Sequence, residues 1–451
     1  MSKFWSTRQS SSSSSSDNDD ESVNWSQDSE DDNNTTDTEE QKDQNEKTEI
    51  TDDNDDNDNS NNDNTGNDPS DQIQAWDRLK TSQTFADIPT ISASNARKDS
   101  HCSTCTRIVC MSDTHGQHRM VTPPKGQVLI HGGDWTQSGE PGTIQDLAAY
   151  FGQLAFPQTI AIAGNHDVTF HPEHYDQAWQ RYHNAPFECD KTQAMLTNCT
   201  YLQDDSCWLY PSTTTTTVPA ATAANTKTTE GPEPTGKEGS SLVYGSPWQP
   251  FFYHWAFNLQ RGWPLRSVWS SIPTETDVLI THGPPLGRRD TCGHGVPVGC
   301  LDLLEEVQQR IQPRLHIFGH IHEDHGTSYD GTTFYVNASN INRTGLAIQH
   351  CVVIDLPHDL TQPARVVQPE CQIHTVRQLQ DWFRENGFEN LAKAVPVTEV
   401  EDATVHRLPL GDELLEQSAF QGLMDGLGAM RDRSMRQDIV KALSMIHAES
   451  Y

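Results

Sequence analysis

Aspartate, histidine and asparagine residues follow five short apolar runs of this chain, and these residue types bind divalent metals through oxygen and nitrogen. Each residue alone is a weak indication, because the chain has 20 histidines and a single histidine is more often a hydrogen-bonded core or surface residue. Their shared position directly after an apolar run indicates a metal site. The residues concerned are Asp113, His115, Asp134, Asn165, His166, Asp167, His282, His320 and His322.

The apolar runs predict the elements that position these residues. Each run is four to six residues long, rich in Val, Ile and Leu, and without polar alternation. Such a run is typical of a strand that is buried on both faces. If the strands share a sheet, their ends meet at one edge, where open α/β folds place ligands. The runs are 106–111, 127–130, 159–163, 277–280 and 315–318.

Helical patterns lie between these runs. Thr143 is predicted as the N-cap of a helix in which Ile144, Leu147 and Phe151 share one face. Residues 299–312 repeat this apolar spacing. The alternation of strands and helices predicts an α/β layered fold.

Charge and composition exclude several classes of protein. The formal net charge of −33 argues against strong nucleic-acid binding through basic patches. The N-terminus lacks the apolar core of a signal peptide, and no stretch approaches the ~18 apolar residues of a membrane span. Ten cysteines without regular spacing are typical of reduced thiols. We therefore expect a cytoplasmic or nuclear protein that is neither secreted nor associated with a membrane.

The order of the polar motifs resembles the calcineurin-like metallophosphoesterase superfamily. Over residues 106–356 the chain shows Asp-x-His, Gly-Asp, Gly-Asn-His-Asp, a histidine, and Gly-His-x-His in that order. Residues 196–199, 244–248, 257–259 and 281–287 add a closer similarity to the brain-associated metallophosphoesterase-domain-containing proteins of animals. The resemblance implies a layered sandwich of two mixed β-sheets flanked by helices.

The resemblance also implies a ligand set for two divalent metal ions. One ion would be held by Asp113, His115, Asp134 and His322, and the other by Asp134, Asn165, His282 and His320, with Asp134 bridging. Nitrogen and oxygen donors without thiolate favour Mn, Fe or Zn, and the sequence does not rank these three. Two divalent ions and two carboxylates would leave a site of about +2, which attracts phosphate.

Such a site predicts phosphoester hydrolysis. A hydroxide held between the metals would attack phosphorus, because metal coordination lowers the pKa of water from ~15.7 towards ~7. His166 matches the histidine of the family that protonates the leaving oxygen as a general acid. Asp167 either supports His166 or is an ordinary loop carboxylate. Arg288 and Arg289 are candidates for substrate binding or plain solvent-facing arginines, and Asn337 is a third candidate for substrate binding.

Two comparisons within the superfamily narrow the substrate class. Protein Ser/Thr phosphatases carry Gly-Asp-x-x-Asp-Arg-Gly, in which the second aspartate orients the catalytic histidine. Residues 133–139 read Gly-Asp-Trp-Thr-Gln-Ser-Gly instead, which disfavours a protein phosphatase. Some brain-associated relatives lose the first histidine of Gly-His-x-His, whereas this chain retains His320, so we expect a complete binuclear site.

The leading interpretation is therefore a metal-dependent phosphodiesterase that acts on small phosphodiesters, with cyclic nucleotides as candidates. One alternative is a phosphomonoesterase that uses the same site. A second alternative is a scaffold or regulatory protein that binds a nucleotide and turns it over poorly.

The segments outside the motif region predict three additions. Residues 1–100 carry 25 acidic and 8 basic side chains with few large apolar ones, which predicts a disordered acidic Ser/Asp/Asn-rich tail. Residues 101–371 would form the metallophosphoesterase domain, interrupted at 211–240 by a disordered Thr-rich insertion at a hairpin tip. Residues 372–451 would form a helical extension, whose apolar stripes serve either packing or a protein partner.

Overall fold

Buried strands of four to seven residues form the core of the computed structural model, which describes residues 69–99, 104–209, 240–342, 345, 349–369, 376–394 and 433–451. The strands are β1 (Thr90–Ser92), β2 (Cys105–Met111), β3 (Val128–His131), β4 (Gln158–Ala161), β5 (Thr200–Tyr201), β6 (Asp205–Leu209), β7 (Ser241–Ser246), β8 (Gln249–Pro250), β9 (Asn258–Leu259), β10 (Val278–Thr281), β11 (Leu315–Phe318), β12 (Gly326–Tyr329), β13 (Phe334–Asn337), β14 (Val352–Pro357) and β15 (Arg365–Gln368).

The α-helices cover the outer faces of the sheets and the two ends of the described chain. They are α1 (Pro69–Leu79), α2 (Ala93–Asp99), α3 (Pro141–Leu154), α4 (Pro172–Ala178), α5 (Cys189–Gln193), α6 (Trp263–Trp269), α7 (Leu301–Glu306), α8 (Val376–Glu385), α9 (Glu389–Ala394) and α10 (Arg433–Glu449). None of the described helices has both the length and the apolar composition that a bilayer crossing requires.

The described strands form two large mixed sheets and one small one. The first sheet has the order β1-β15-β14-β2-β3-β4-β5, the second has the order β12-β13-β11-β10-β7-β6, and β8 pairs with β9. Strands β2 to β5 run parallel, as do β7, β10, β11 and β13 in the other sheet. The parallel strands of each sheet therefore end on a common edge.

The core lies between the two sheets, and this explains why the apolar runs lack polar alternation. Apolar side chains of both sheets meet there, among them Ile108, Ile130, Ile160, Val278, Ile280, Leu315 and Ile317. The alternate residues of the same strands pack outward against helices, such as Leu129 against the Ile144 face of α3 and Leu279 against Leu265 of α6. The predicted sandwich of two mixed sheets flanked by helices is confirmed.

Two helix boundaries differ from the sequence prediction. Helix α3 begins at Pro141 with Glu140 at the N-cap, so the predicted Thr143 cap was wrong. Proline is favoured in the first turn because its fixed φ suits a helix and its missing N–H has no partner there anyway. Helix α7 ends at Glu306 and continues as a π-helical turn over Val307–Ile311.

The structure describes a helix and a strand before the predicted boundary at residue 100. Helix α1 and strand β1 fall within the predicted tail, and β1 pairs in parallel with β15 at the edge of the first sheet. Trp76 lies against Gly287, where an added Cβ would overlap its ring. The remainder of the predicted tail, 1–68, lies outside the described residues.

The other two predicted additions are partly described. Strands β6 and β7 pair antiparallel with Leu209 opposite Ser241, so the predicted hairpin is confirmed. Residues 210–239, which hold nearly all of the Thr-rich insertion, lie outside the described part of the chain, as do 370–375 and 395–432.

Helix α10 buries Ile439, Val440 and Ile446, and the Ser444 hydroxyl accepts a hydrogen bond from the Thr122 amide at 2.6 Å. Its apolar stripe therefore serves packing.

A buried ion pair links β2 to β14 and generates a prediction about stability. Arg107 donates to both carboxylate oxygens of Asp355, at 2.9 and 3.1 Å, and the Asp355 side chain is fully buried. Replacing Arg107 with methionine leaves that carboxylate without its partner, so we expect the free energy of unfolding to fall by about 3–5 kcal/mol. Urea denaturation followed by circular dichroism measures the change.

Lys191→Met provides the matched control, because it removes an ion pair to Glu188 in which both side chains are 71% exposed. We expect this control to lose ~1 kcal/mol or less, since solvent screens such pairs. Equal losses in the two variants would contradict the importance assigned to the buried pair.

Candidate metal centre

The predicted ligands converge where the two sheets meet. A parallel bridge between Ser112 and Ser339 joins the residues that follow β2 and β13. The ligands extend from the ends of β2, β3 and β4 of the first sheet and of β10 and β11 of the second. Three groups have side-chain donor atoms within 4.8 Å of one another: Asp113, His115 and His322; Asp134, His282 and His320; and His115, Asp134 and His166.

Asp134 connects these groups. One of its carboxylate oxygens lies 3.7 Å from His115 Nε2 and 3.3 Å from His282 Nε2. The other oxygen accepts the backbone amide of His166 at 2.8 Å. On the far side of the centre, His322 Nε2 lies 3.3 Å from an Asp113 oxygen. The arrangement brings together members of the two predicted ligand sets, and Asp134 lies between His115 and His282.

Left-handed backbone conformations aim these side chains inward. Asp113, His115, Asp134 and His320 have φ values of 51°, 42°, 53° and 68°. Each such non-glycine residue costs roughly 1–2 kcal/mol relative to ordinary backbone. The amide of Asp113 compensates by donating to Gly133 O at 2.9 Å, and that of His115 donates to Asp134 O at 3.0 Å. Strained backbone that the surrounding structure maintains in this way is characteristic of functional sites.

The hydrogen bonds around His282 test whether a cation fits. His282 Nδ1 lies 2.9 Å from the Gly132 carbonyl, which only accepts, so Nδ1 carries the hydrogen. Its Nε2 then faces Asn165 Oδ1 at 3.0 Å and Asp134 Oδ2 at 3.3 Å, and both of these atoms are also acceptors. Lone pairs converge in this way only around a proton or a metal ion. The residues fit a divalent cation.

His115 supports the same conclusion. Its Nε2 is buried and has no hydrogen-bond partner among the residues that the structure describes. A buried nitrogen without a partner costs about 1–3 kcal/mol, and a metal ion would satisfy it.

The histidines of the centre differ in the direction of their pKa shifts. Burial lowers the pKa of His115 and of His320 to about 3, which leaves neutral imidazoles with free lone pairs. Burial also opposes ionisation of Asp113 and Asp134, but the neighbouring histidines hold both pKa values below their usual range. At His282 burial lowers the pKa, but Asp134 and Asp113 outweigh this and raise it to about 9. A metal ion would take the place of that proton.

His166 is oriented by a peptide carbonyl. Its Nδ1 donates to Gln137 O at 2.7 Å, which leaves Nε2 as the second nitrogen. The ring stacks on Trp255, with 3.9 Å between centroids and 27° between planes. Gln137 occupies the position of the second aspartate in the protein-phosphatase motif, so the backbone of this residue performs the orientation that an aspartate side chain performs there.

Asp167 ties two ligand loops together. Its carboxylate accepts from the Thr136 hydroxyl at 2.7 Å, the Thr136 amide at 3.0 Å and the Gly164 amide at 2.8 Å. Burial and the charge of Asp134 raise the pKa of Asp167, whereas these donors favour its carboxylate. The contacts correct the catalytic assignment: Asp167 holds the loop that carries Asp134 against the loop that carries Asn165.

The predicted substrate-binding residues are occupied by structural contacts. Arg288 is fully buried, donates to Thr84 O at 2.9 Å and to Gln83 Oε1 at 2.8 Å, and lies 4.5 Å above the Phe85 ring. Its assignment to substrate was wrong, because the segment before β1 covers it. Arg289 donates to Thr327 O at 2.7 Å and pairs with Asp324 at 3.3 Å.

Asn337 is likewise structural. It donates to Arg289 O at 3.1 Å and to Ile321 O at 2.8 Å, and it accepts from Ser339 N at 3.1 Å. It thereby supports the loop of His320 and His322 and is fully buried. These contacts correct its assignment to substrate binding.

Sequence reasoning missed several residues of the centre. The Ser339 hydroxyl donates to Asp113 Oδ2 at 2.9 Å. Trp255 supports His166, and the Phe252 ring meets His320 edge to face at 5.3 Å between centroids. A signal for the last two existed in the unbroken sequence Phe-Phe-Tyr-His-Trp at 251–255.

Gly319 generates a prediction about metal binding. An added Cβ at this position would overlap the Asp113 carboxylate and the Ser112 hydroxyl. We expect Gly319→Ala to displace the carboxylate and to weaken metal affinity about 10- to 100-fold, as loss of a ligand's support commonly does. Calorimetric titration of the metal-free protein with Mn²⁺ measures the affinity.

Gly142→Ala is the matched control, because an added Cβ there meets nothing within 4 Å. Wild-type affinity in Gly319→Ala, with Gly142→Ala also unchanged, would show that Asp113 does not bind metal.

Comparisons with known proteins agree with this geometry. Residues 106–324 match the calcineurin-like phosphoesterase family. The proteins named metallophosphoesterase domain-containing protein 1 of Homo sapiens and Mus musculus are each 41% identical over 261 residues, which cover 56% of this chain and 71% of theirs. The Caenorhabditis elegans protein named UPF0046 protein T07D4.2 is 30% identical over 302 residues, covering 64% of this chain and 68% of its own. The chain therefore belongs to the calcineurin-like phosphoesterase family of metal-dependent phosphoester hydrolases.

Proposed function

We propose that this protein is a binuclear metal-dependent phosphodiesterase that hydrolyses small phosphodiesters, with cyclic nucleotides as candidate substrates. The observation that carries the proposal is the position of Asp134, which belongs to two of the ligand groups that flank it while its second oxygen holds the His166 backbone. This supports the assignment of His166, which lies beside the centre, as the general acid. Manganese, iron and zinc are the candidate metals, because all donors are oxygen or nitrogen.

Each side chain would have a distinct role. The first ion would be held by Asp113, His115, Asp134 and His322, and the second by Asp134, Asn165, His282 and His320. Bound divalent ions would supply Lewis-acid stabilisation of the phosphate oxygens and an activated water. His166 would give its Nε2 proton to the leaving oxygen, because Nδ1 is committed to Gln137 O. Such a positioned acid contributes ~10²- to 10⁴-fold to the rate.

The contacts of Arg288 and Arg289 support a diester over a monoester as the substrate. A phosphomonoester brings a second negative charge, which arginine side chains commonly bind in bidentate fashion. Arg288 is buried under residues 83–85, and Arg289 pairs with Asp324. Both predicted arginines are therefore engaged within the protein instead of binding the second charge of a monoester. A diester carries a single charge and therefore depends less on an additional cation than a doubly charged monoester does.

The protein-phosphatase interpretation has less support. Gln137 and Ser138 stand where that class has aspartate and arginine, and Ser138 donates to Glu140 at 2.8 Å. This leaves a small diester or a small monoester as the substrate classes to separate.

A direct comparison of two aryl esters tests the proposed reaction. With the Mn²⁺-loaded full chain, we expect kcat/KM for bis(p-nitrophenyl) phosphate to exceed that for p-nitrophenyl phosphate by about tenfold or more, which is ~1.4 kcal/mol of transition-state stabilisation. Chelator should abolish turnover and added Mn²⁺ should restore it. Asp134→Asn is the inactive control. The opposite preference would identify a phosphomonoesterase, and slow turnover of both esters, unaffected by chelator, would favour the scaffold alternative.

Replacement of His166 tests its role as the acid. We expect His166→Asn to retain its bound metal and to lose ~10²–10⁴ in kcat on a nucleoside 2′,3′-cyclic phosphate, whose leaving alkoxide needs a proton. The loss on bis(p-nitrophenyl) phosphate should be much smaller, because p-nitrophenolate leaves without protonation. Steady-state kinetics and metal analysis provide both readouts. His294→Asn, at an exposed position, is the control; equal losses on the two substrates would rule out the acid role of His166.

A further inference from the structure

A loop of exposed aromatic residues lies between β8 and β9. It consists of residues 251–255, Phe-Phe-Tyr-His-Trp, and is called the aromatic loop below. Phe251, Phe252 and Tyr253 are 44%, 42% and 77% exposed. Clustered large apolar side chains on a surface mark an interaction site. None of these three side chains is a predicted metal ligand or the proposed general acid, and Phe252 contacts the centre only through the His320 ring.

The aromatic loop borders the centre at three points. The Phe252 ring meets the His320 ring at 5.3 Å and 84°. Trp255 stacks on His166, and the amide of Ala256 donates to Asn165 O at 3.2 Å. A substrate whose phosphate lies among these three residues would place its remaining atoms within reach of the loop.

Hydrogen bonds fix the loop in its exposed conformation. The Phe251 amide donates to Leu259 O at 2.9 Å, the Asn258 side chain to Phe252 O at 2.7 Å, and the Tyr182 hydroxyl to His254 O at 3.0 Å. Tyr253 and His254 are both left-handed, with φ values of 46° and 64°. Two consecutive non-glycine residues in this region are unfavourable and persist only where the surroundings impose them. The aromatic side chains are therefore preorganised at the surface.

We propose that Phe252 and Tyr253 form a stacking platform for a planar ring of the substrate, which would be the base of a nucleotide ester. This inference rests on the proposed function, since it assigns a substrate class to the same centre. The two rings stand at 83° with 4.7 Å between centroids, so they form a corner that a flat ring can occupy by stacking on one side chain and meeting the other edge-on. Aromatic platforms bind bases because every base has a π face.

The charge pattern favours a base over a lipid surface. Membrane-binding loops combine aromatic tips with lysine or arginine side chains that attract anionic lipids. The aromatic loop contains neither, and the nearest arginine in sequence, Arg261, donates to Gly299 O and Val298 O at 2.9 and 2.8 Å. The chain as a whole carries a net charge of −33.

Two inhibitors that differ only in the base test the platform. The Mn²⁺-loaded full chain is assayed with bis(p-nitrophenyl) phosphate, and inhibition constants are measured for adenosine 5′-monophosphate and for ribose 5-phosphate. We expect the nucleotide to bind on the order of tenfold more tightly, which a stacked base typically provides. In Phe252→Leu and Tyr253→Leu this ratio should fall towards one.

Phe85→Leu is the matched control, because Phe85 is 58% exposed and contacts Arg288 instead of the centre. It should preserve the wild-type ratio. Equal inhibition by the two compounds in the wild type would overturn the platform even if diester turnover is rapid. Equal weakening of both inhibitors in Phe252→Leu would also overturn it, since that result indicates a merely structural residue.

Two further outcomes separate the platform from the proposed function. If no ester is turned over, calorimetric binding of the same two compounds replaces the assay: a base-dependent difference that Phe252→Leu removes would support the platform while the proposed function fails. Turnover that phosphatidylcholine vesicles stimulate, with loss of the stimulation in Phe252→Leu and no preference for the base, would overturn the platform in favour of a lipid surface.

Discussion

The buried carboxylate of Asp134 is the constraint on which the rest of the centre depends. An ionised carboxylate that is only 2% exposed is unfavourable unless charge and hydrogen bonds compensate it. His282 faces one oxygen at 3.3 Å, and the His166 amide binds the other. These partners follow different strands. The ionised carboxylate is therefore stabilised only when the ends of those strands assemble into the centre.

The sandwich meets this requirement by joining two sheets at one edge. Parallel strands deliver Asp113, His115, Asp134 and Asn165 from one sheet and His282, His320 and His322 from the other, and the Ser112–Ser339 bridge joins the two edges. Asp167 then fixes the separation of two of the loops through Thr136 and Gly164. Glycine is required at 319, because any side chain there would occupy the space of the Asp113 carboxylate.

The features that could be predicted from the sequence are those in which the residues of a short segment directly indicate that the segment is buried. Strands covered on both faces leave unbroken apolar runs, so the layered α/β arrangement was predictable from the residues alone, whereas the two-sheet sandwich and the candidate ligand set came from the family resemblance. The burial of Arg288 was not predictable, because the segment that covers this side chain lies about 200 positions earlier in the chain. The Glu140 cap and the role of Asp167 depend on backbone contacts that residue types do not encode. The sequence shows the cluster of aromatic residues in the aromatic loop, but the position of the loop beside the centre depends on the pairing of β8 with β9.

The use of the Gln137 carbonyl to orient His166 affects which substrate charge the centre can accommodate. An aspartate at this position would orient His166 equally well, but it would add a negative charge beside the centre and would call for a compensating cation, as the arginine of the protein-phosphatase motif provides. A peptide carbonyl orients the ring through a 2.7 Å hydrogen bond and adds no net charge. With divalent ions bound, the charge of the centre would come from those ions and its two carboxylates. A diester, with its single charge, would depend less on an additional arginine than a monoester would. The lost Asp-Arg pair and the exposed aromatic loop are thus consistent with the same preference for a small phosphodiester that carries a planar ring.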